Sequence, residues 1–392
     1  MQPIVKWPTE NTAFLVIHGN GPHREYQTLD KFARTFYHYY EKLENPEVEE
    51  EHKLDDSAQS YVRFKLKSTR YYIDFYEYYW DRHMVRNITE KELKYWLKEL
   101  DDGINELKTN KFIDKNYGLP LLLAKRDWLR MLANRIVNQI AMLAQQMLRY
   151  IKRYIKAGCL NKLDDFISKC RVDLLTDVVI YCLHDQRSSY YEIREKVLSG
   201  AVKELTGLLK SGEDYGQIIV VGHSLGSVIA YDALNRIARD MSTPSHSLAV
   251  EQVQKIKGLV TFGSFLDVVA CFFQEHVSSR NKLEQWIKVE RHAFRKPAAR
   301  YPDNPIDYDK LNNVKWLNFY HPDDVVADRP LFSYQLEEKD QIPCYREGPK
   351  WWGFLCKTPI IATFAKSRKA MDAHDSYWEN DEMYQKIAGK FF

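Results

Sequence analysis

The chain has 392 residues, 45% of them hydrophobic, which is enough for one large α/β domain that carries an insertion. Its formal net charge of +3 is nearly balanced and gives no indication of a nucleic-acid partner. The six cysteines form no CxxC pair and lack metal-ligand spacing, so we expect reduced thiols, no metal site and a cytoplasmic protein.

The N-terminal segment lacks the basic region and long apolar stretch of a signal peptide, and no apolar run approaches the roughly 18–20 residues of a membrane span. Short β-branched or aromatic runs, bounded by Gly, Asn, Pro or charged residues, predict buried strands. These runs are Ala13–His18, Tyr71–Tyr76, Ile218–Val221, Gly258–Phe262 and Val314–Tyr320. Helical apolar patterns alternate with them, which predicts a mostly parallel central sheet flanked by helices. The acidic stretch Glu41–Asp56 is predicted to be a surface loop or a frayed helix end.

Residues 87–170 contain several helical patterns and no convincing strand, which predicts a helical insertion between core segments 1–86 and 171–392. From Trp128 to Leu163 there are seven Lys or Arg residues and no Asp or Glu, with apolar residues spaced by three or four. Such a basic amphipathic helix either makes a peripheral contact with an anionic membrane or packs its apolar stripe on the core. The second interpretation is favoured, because most apolar stripes belong to cores.

The run Gln217–Ala233, QIIVVGHSLGSVIAYDA, places one serine where an apolar strand ends and a helical pattern begins. Residues 222–226, GHSLG, match the G-x-S-x-G nucleophile elbow, in which small flanking residues let the strand and the helix approach each other. Ser224 is therefore the candidate nucleophile, and a glycine-rich turn with an idle serine is the alternative. The adjacent His223 is not expected to be its base, because the elbow turns that side chain away from the hydroxyl.

A serine hydroxyl needs a base to accept its proton. In proteins that carry the G-x-S-x-G elbow between a strand and a helix, the triad residues follow in the chain order serine, acid, histidine. His321 ends a predicted strand and precedes the candidate acid, which leaves His374 as the candidate base. Asp324 follows that strand and is the candidate acid, with the role of fixing the imidazole tautomer. Its neighbour Asp323, and Asp267 after the preceding strand, are the alternatives.

The reaction also needs hydrogen-bond donors for the developing oxyanion. The backbone N–H of Leu225, at the start of the helix behind Ser224, is one expected donor. The second is expected from the loop HGNGPH after the first strand, where the backbone N–H groups of Asn20 and Gly21 are both candidates. A plain glycine-rich turn is the alternative for this loop.

The segments FLVIHGNG, IIVVGHSLGS, HPDDVV and AHDSYW, in this order, resemble the α/β-hydrolase superfamily, in particular its lipase-like and esterase-like serine hydrolases. The resemblance covers 11–86 and 171–380, and it implies an α/β-hydrolase fold whose helical insertion is a lid or cap. It also implies an acyl-enzyme mechanism without a cofactor or metal. We expect carboxylic esters as substrates, preferably lipid or other hydrophobic acyl esters. A thioesterase or acyltransferase on the same triad, or a non-catalytic membrane-associated scaffold on a hydrolase core, is the alternative.

Overall fold

The computed structural model describes residues 7–20, 23–44, 47–53, 60–85, 177–178, 180–181, 189–241, 247–266, 311, 313–322, 324, 327, 341–344 and 373–392. Over these ranges the chain forms an eight-stranded mixed sheet with helices on both faces. The predicted helical insertion at 87–170, with its basic amphipathic pattern, lies outside the described residues. Within the described ranges, no helix is both long enough and apolar enough to cross a membrane.

Over part of the chain, strands and helices alternate as predicted, but three consecutive strands follow the first helix. The strands are β1 Thr12–Ile17, β2 Val48–Lys53, β3 Tyr61–Leu66, β4 Tyr72–Tyr78, β5 Gln217–His223, β6 Ile256–Phe262, β7 Lys315–Tyr320 and β8 Gln341–Pro343. The α-helices are α1 Gln27–Glu44, α2 Ser189–Lys210, α3 Leu225–Asp240, α4 Val250–Val253 and α5 Asp381–Phe391, and 3₁₀ helices span Trp80–His83 and Ser376–Glu379. All five predicted strands are present, as β1, β4, β5, β6 and β7, with slightly different ends.

The strand order is β2-β3-β4-β1-β5-β6-β7-β8. All neighbouring pairs from β4 to β8 are parallel, as predicted, whereas β2–β3 and β3–β4 are antiparallel. From β1 the chain passes to the side of the sheet that holds β2, β3 and β4, whereas from β5 it passes to the side that holds β6, β7 and β8. The sheet therefore has a topological switch point between β1 and β5, where open α/β sheets bind their ligands at the carboxyl ends of the strands.

The expectation of a loop or frayed helix end in the acidic stretch is wrong over most of its length. Helix α1 continues to Glu44, and Val48–Lys53 form the edge strand β2, paired antiparallel with β3. Every side chain of β2 after Val48 is exposed, so the strand has no buried face to produce an alternating hydrophobic pattern. Charged side chains on an edge strand also discourage pairing with another chain.

The side chains of β1 alternate between two hydrophobic cores. Ala13, Leu15 and Ile17 pack in the core that contains α2 and α3, whereas Phe14 and Val16 pack in the core that contains α1 and α5. All five side chains are fully buried. A strand buried on both faces is a continuous apolar run in the sequence, which is typical of parallel sheets between two helical layers. Because β1 is buried on both faces, its carboxyl end, which leads into the loop with Asn20, is held in a defined position.

Candidate active site

Ser224 lies at the turn between β5 and α3 with φ 52° and ψ −123°. A positive φ is uncommon for a residue with a Cβ atom, and such strain costs roughly 1–3 kcal/mol. Hydrogen bonds on both sides hold the turn: the Ser224 N–H donates to the Phe262 carbonyl at 3.0 Å, and the Ser224 carbonyl accepts from the Ser227 N–H at 3.0 Å. The backbone of this turn therefore has the strained conformation of a nucleophile elbow.

The two glycines of the motif are required by close backbone contacts. A Cβ atom on Gly226 would press against the carbonyl oxygens of Ile17 and His18, at the end of β1. A Cβ atom on Gly222 would lie 2.6 Å from the Gly226 oxygen and 2.6 Å from the Ser227 Cα. Any larger residue at either position would push the helix away from the sheet, so the glycines bring α3 onto the strand ends.

The side chains of His374 and Asp324 are hydrogen-bonded to each other at the same edge of the sheet. The His374 Nδ1 donates to the Asp324 Oδ2 at 2.8 Å, and the side chains are 19% and 0% exposed, respectively. Because a carboxylate only accepts, the proton sits on Nδ1 and the Nε2 of His374 is left to take up a proton. Burial disfavours the imidazolium, but the charge and hydrogen bond of Asp324 outweigh it and raise the pKa of His374 above 6.5.

The Asp324 carboxylate is held by further donors. The Tyr377 hydroxyl donates to Oδ2 at 2.8 Å and accepts from the His321 N–H at 2.7 Å, while the Ala327 N–H donates to Oδ1 at 3.3 Å. This network orients the buried acid toward His374. Sequence reasoning missed Tyr377 and set His321 aside. The spacing His374-x-x-Tyr377, which puts both side chains on one side of a helical turn, is the signal that could have found the tyrosine.

The His374 ring lies beside the turn that carries the serine. A Cβ atom on Gly263, which has φ +56°, would be 3.0 Å from the His374 Cε1. Gly263 directly follows Phe262, whose carbonyl accepts from the Ser224 N–H. The glycine thus leaves the space that the imidazole occupies next to the β5–α3 turn. In serine enzymes, the hydrogen bond between the serine hydroxyl and its base often becomes short and well aligned only when substrate binds.

His223 is buried, and its ring lies 4.9 Å from the His374 ring between centroids. Its ring stacks on Phe262 at 5.0 Å between centroids and meets Trp378 edge-on at 5.0 Å. Burial, and to a lesser extent the nearby His374, holds the pKa of His223 well below 6.5, so the ring stays neutral. Its Nε2 can then donate to the His374 backbone carbonyl, 3.3 Å away. The side chain lies in the shell around the serine, as the elbow geometry predicts.

The loop after β1 reaches the serine from the other side. The Ser224 hydroxyl donates to the Asn20 Oδ1 at 3.0 Å. A Cβ atom on Gly19 would be 3.0 Å from the Ser224 Cβ, so the loop backbone lies against the serine. Leu225 is the first residue of α3, and its N–H is one of those that a helix leaves without an intrahelical acceptor. Gly21, the other candidate donor, lies outside the described residues.

The alternative acids Asp323 and Asp267 also lie outside the described residues, and the structure places Asp324 on His374. Across the part of the chain that the structure describes, no three His, Cys, Asp or Glu side chains are grouped so that they could hold a metal ion. The structure thus describes a strained serine, a histidine whose Nε2 is left to take up a proton, and a buried carboxylate, which are the types of group that acyl-transfer enzymes use.

Comparisons with protein-family models, with curated proteins and with solved structures found no match. Ser224 follows β5 and Asp324 follows β7, so both lie at the carboxyl edge of the sheet, and His374 is hydrogen-bonded to Asp324.

Proposed function

We propose that the protein is a serine hydrolase that cleaves carboxylic esters, with Ser224 as nucleophile, His374 as general base and acid, and Asp324 as the residue that orients the imidazole. The observation that carries this proposal is the 2.8 Å hydrogen bond between the buried Asp324 and His374, at the same sheet edge as the strained serine. A packing role alone would not require these groups, which come from three distant parts of the chain, to lie at the same edge of the sheet.

In the proposed reaction the ester carbonyl binds beside the Ser224 hydroxyl. The Nε2 of His374 takes the hydroxyl proton as the serine oxygen bonds to the carbonyl carbon, and Asp324 stabilises the imidazolium that results. The carbonyl oxygen becomes an oxyanion and accepts a hydrogen bond from the Leu225 N–H. The imidazolium then protonates the leaving alcohol, and water attacks the acyl-enzyme by the same route in reverse.

The expected substrate class is hydrophobic acyl esters, including those of lipids. This part of the proposal rests on the resemblance to lipase-like hydrolases and on the alternative interpretation of the basic pattern between Trp128 and Leu163, in which that segment contacts an anionic membrane surface. The test is a panel of esters and thioesters graded in acyl length, with and without anionic vesicles and with an added alcohol acceptor. Turnover limited to short esters and unaffected by vesicles would contradict the hydrophobic class. Faster product formation with the alcohol than with water would favour an acyltransferase.

The decisive experiment for the catalytic proposal is labelling with a fluorophosphonate probe, followed by intact mass measurement and peptide mapping. Wild type is expected to carry one adduct on Ser224, and Ser224→Ala is expected to carry none. Ser211→Ala is the matched control, because Ser211 follows α2, before β5 begins, and its hydroxyl donates to the Leu208 carbonyl. This control should be labelled like wild type. A folded wild-type protein that is neither labelled nor active on the ester panel, with or without vesicles, would refute the proposed function.

A further inference from the structure

The side chain of Asn20 touches the proposed reacting group directly. Sequence reasoning assigned to this residue only a backbone N–H, as one of two candidate oxyanion donors. In the structure, however, its carboxamide oxygen accepts a hydrogen bond from the Ser224 hydroxyl, with 3.0 Å between the two oxygens. The hydroxyl is itself almost fully buried, with Ser224 1% exposed. The carboxamide therefore occupies the immediate surroundings of the nucleophile.

The loop that carries Asn20 is anchored from behind. The Trp80 Nε1 donates to the His18 carbonyl at 2.8 Å, and the Trp80 and His18 rings stack at 4.7 Å with an interplanar angle of 10°. The absence of a side chain at Gly19 lets the loop backbone lie against the Ser224 Cβ. Because contacts on both sides fix the residues just before Asn20, its side chain starts from a defined position beside the serine.

A carboxamide carries an acceptor and a two-proton donor on one planar group. The oxygen is bonded to the serine hydroxyl, and the amide nitrogen beside it can donate to a negatively charged oxygen that forms next to the serine. We propose that the Asn20 carboxamide has both roles: it holds the Ser224 hydroxyl in the resting protein and donates through Nδ2 to the oxyanion of the tetrahedral intermediate. This inference rests on the proposed serine-hydrolase function.

The Ser224 oxygen gives its proton to the Nε2 of His374 and forms a bond to the acyl carbon, and the carbonyl π pair moves onto the carbonyl oxygen. That oxyanion accepts hydrogen bonds from the Leu225 N–H and from the Asn20 Nδ2. When it collapses, the pair returns to the carbonyl, the bond to the alcohol oxygen breaks, and His374 returns the proton to the alcohol.

The experiment compares wild type with Asn20→Ala and Asn20→Asp in ester turnover and in the rate of fluorophosphonate labelling. Alanine keeps the backbone N–H and removes the carboxamide, whereas aspartate keeps the shape and an acceptor but cannot donate once ionised. Both variants are expected to lose kcat by about 10²–10³-fold, with KM changed less than about threefold, because the lost bond forms in the transition state. Asn11→Ala is the matched control: Asn11 lies at the opposite end of β1, where its side chain donates to the Asp214 carbonyl.

Circular dichroism and thermal unfolding of each variant establish whether it is folded at the assay temperature. If the alanine variant is unfolded, the conclusion is drawn from Asn20→Asp, which is closest to asparagine in shape. Wild-type kcat in Asn20→Ala would overturn the inference and leave the backbone N–H as the donor. A loss confined to alanine, with aspartate as active as wild type, would also overturn it, because packing would then explain the effect. A folded wild-type protein inert to both assays would instead refute the underlying function, and this inference with it.

Discussion

Replacing Tyr377 by phenylalanine is expected to destabilise the protein and to slow ester turnover. The phenyl ring fills the space of the fully buried tyrosine ring, so the variant loses a hydroxyl without leaving a cavity of ring size. That hydroxyl donates to the charged Asp324 at 2.8 Å and accepts from the His321 N–H at 2.7 Å. Tyr377 is fully buried and its hydroxyl contacts Asp324, so we expect its influence on the reaction to pass through Asp324.

The magnitude follows from these two bonds. A hydrogen bond to a charged acceptor contributes about 1.5–3 kcal/mol, and depriving a buried N–H of its acceptor costs about 1–3 kcal/mol. Since one hydroxyl makes both bonds, we expect the free energy of unfolding to fall by about 3 kcal/mol. Looser orientation of Asp324 is expected to lower kcat by about tenfold, equivalent to about 1.4 kcal/mol, with KM unchanged because the residue does not touch substrate.

The assay is urea unfolding together with steady-state ester hydrolysis, and Tyr384→Phe is the matched control. Tyr384 is also fully buried, but its hydroxyl donates to the neutral Trp378 carbonyl at 3.3 Å, so the control should lose only about 1 kcal/mol and keep its kcat. If Tyr377→Phe loses no more stability than the control and keeps wild-type kcat, the argument that the tyrosine positions the acid is refuted.

The remaining predictions concern ionisable groups. Asp324→Asn should lower kcat by about 10⁴-fold through the wrong imidazole tautomer. Because Asp324 raises the pKa of His374 and the base must be neutral, the acid limb of kcat/KM should lie above pH 6.5 in wild type and at lower pH in this variant; unchanged profiles would contradict the pairing. The same raised pKa gives stability that is fully present below pH 6.5 and is lost as pH rises through the folded-state pKa, a slope that Asp324→Asn should remove from urea unfolding curves. Burial raises the pKa of Glu77 to about 7, above its unfolded value of 4.5, so its contribution to stability falls as pH rises from 4.5 to 7. Glu77→Gln can still accept from the Thr28 N–H and should be more stable than wild type at pH 8 but not at pH 4; an equal difference at both values would show that burial of the charge is not the cause.

The described parts of the sheet and the serine turn could largely be predicted from the sequence. β1 and β5 are short apolar runs whose composition reflects burial on both faces, and the glycines at 222 and 226 reflect a turn in which a Cβ atom would collide with backbone. Burial of a strand and close backbone contact at a turn each restrict the residue types that a position can hold. Both restrictions are therefore visible as a local sequence pattern. The edge strand β2 leaves none, because its side chains after Val48 are all exposed and burial does not select them.

The contacts within the candidate site were decided only by the tertiary structure. The G-x-S-x-G motif proposed Ser224 and chain order proposed Asp324 and His374, but the hydroxyl of Tyr377 on the acid and the carboxamide of Asn20 on the serine were not predicted. Asn20 and the serine are 204 positions apart in the chain, and the parallel pairing of β1 with β5 brings them together. A hydrogen bond between such distant residues depends on strand order, register and side-chain packing, none of which a local sequence pattern specifies. The sequence by itself determined which residue types were present for the chemistry, and the packing of the sheet decided which of them meet.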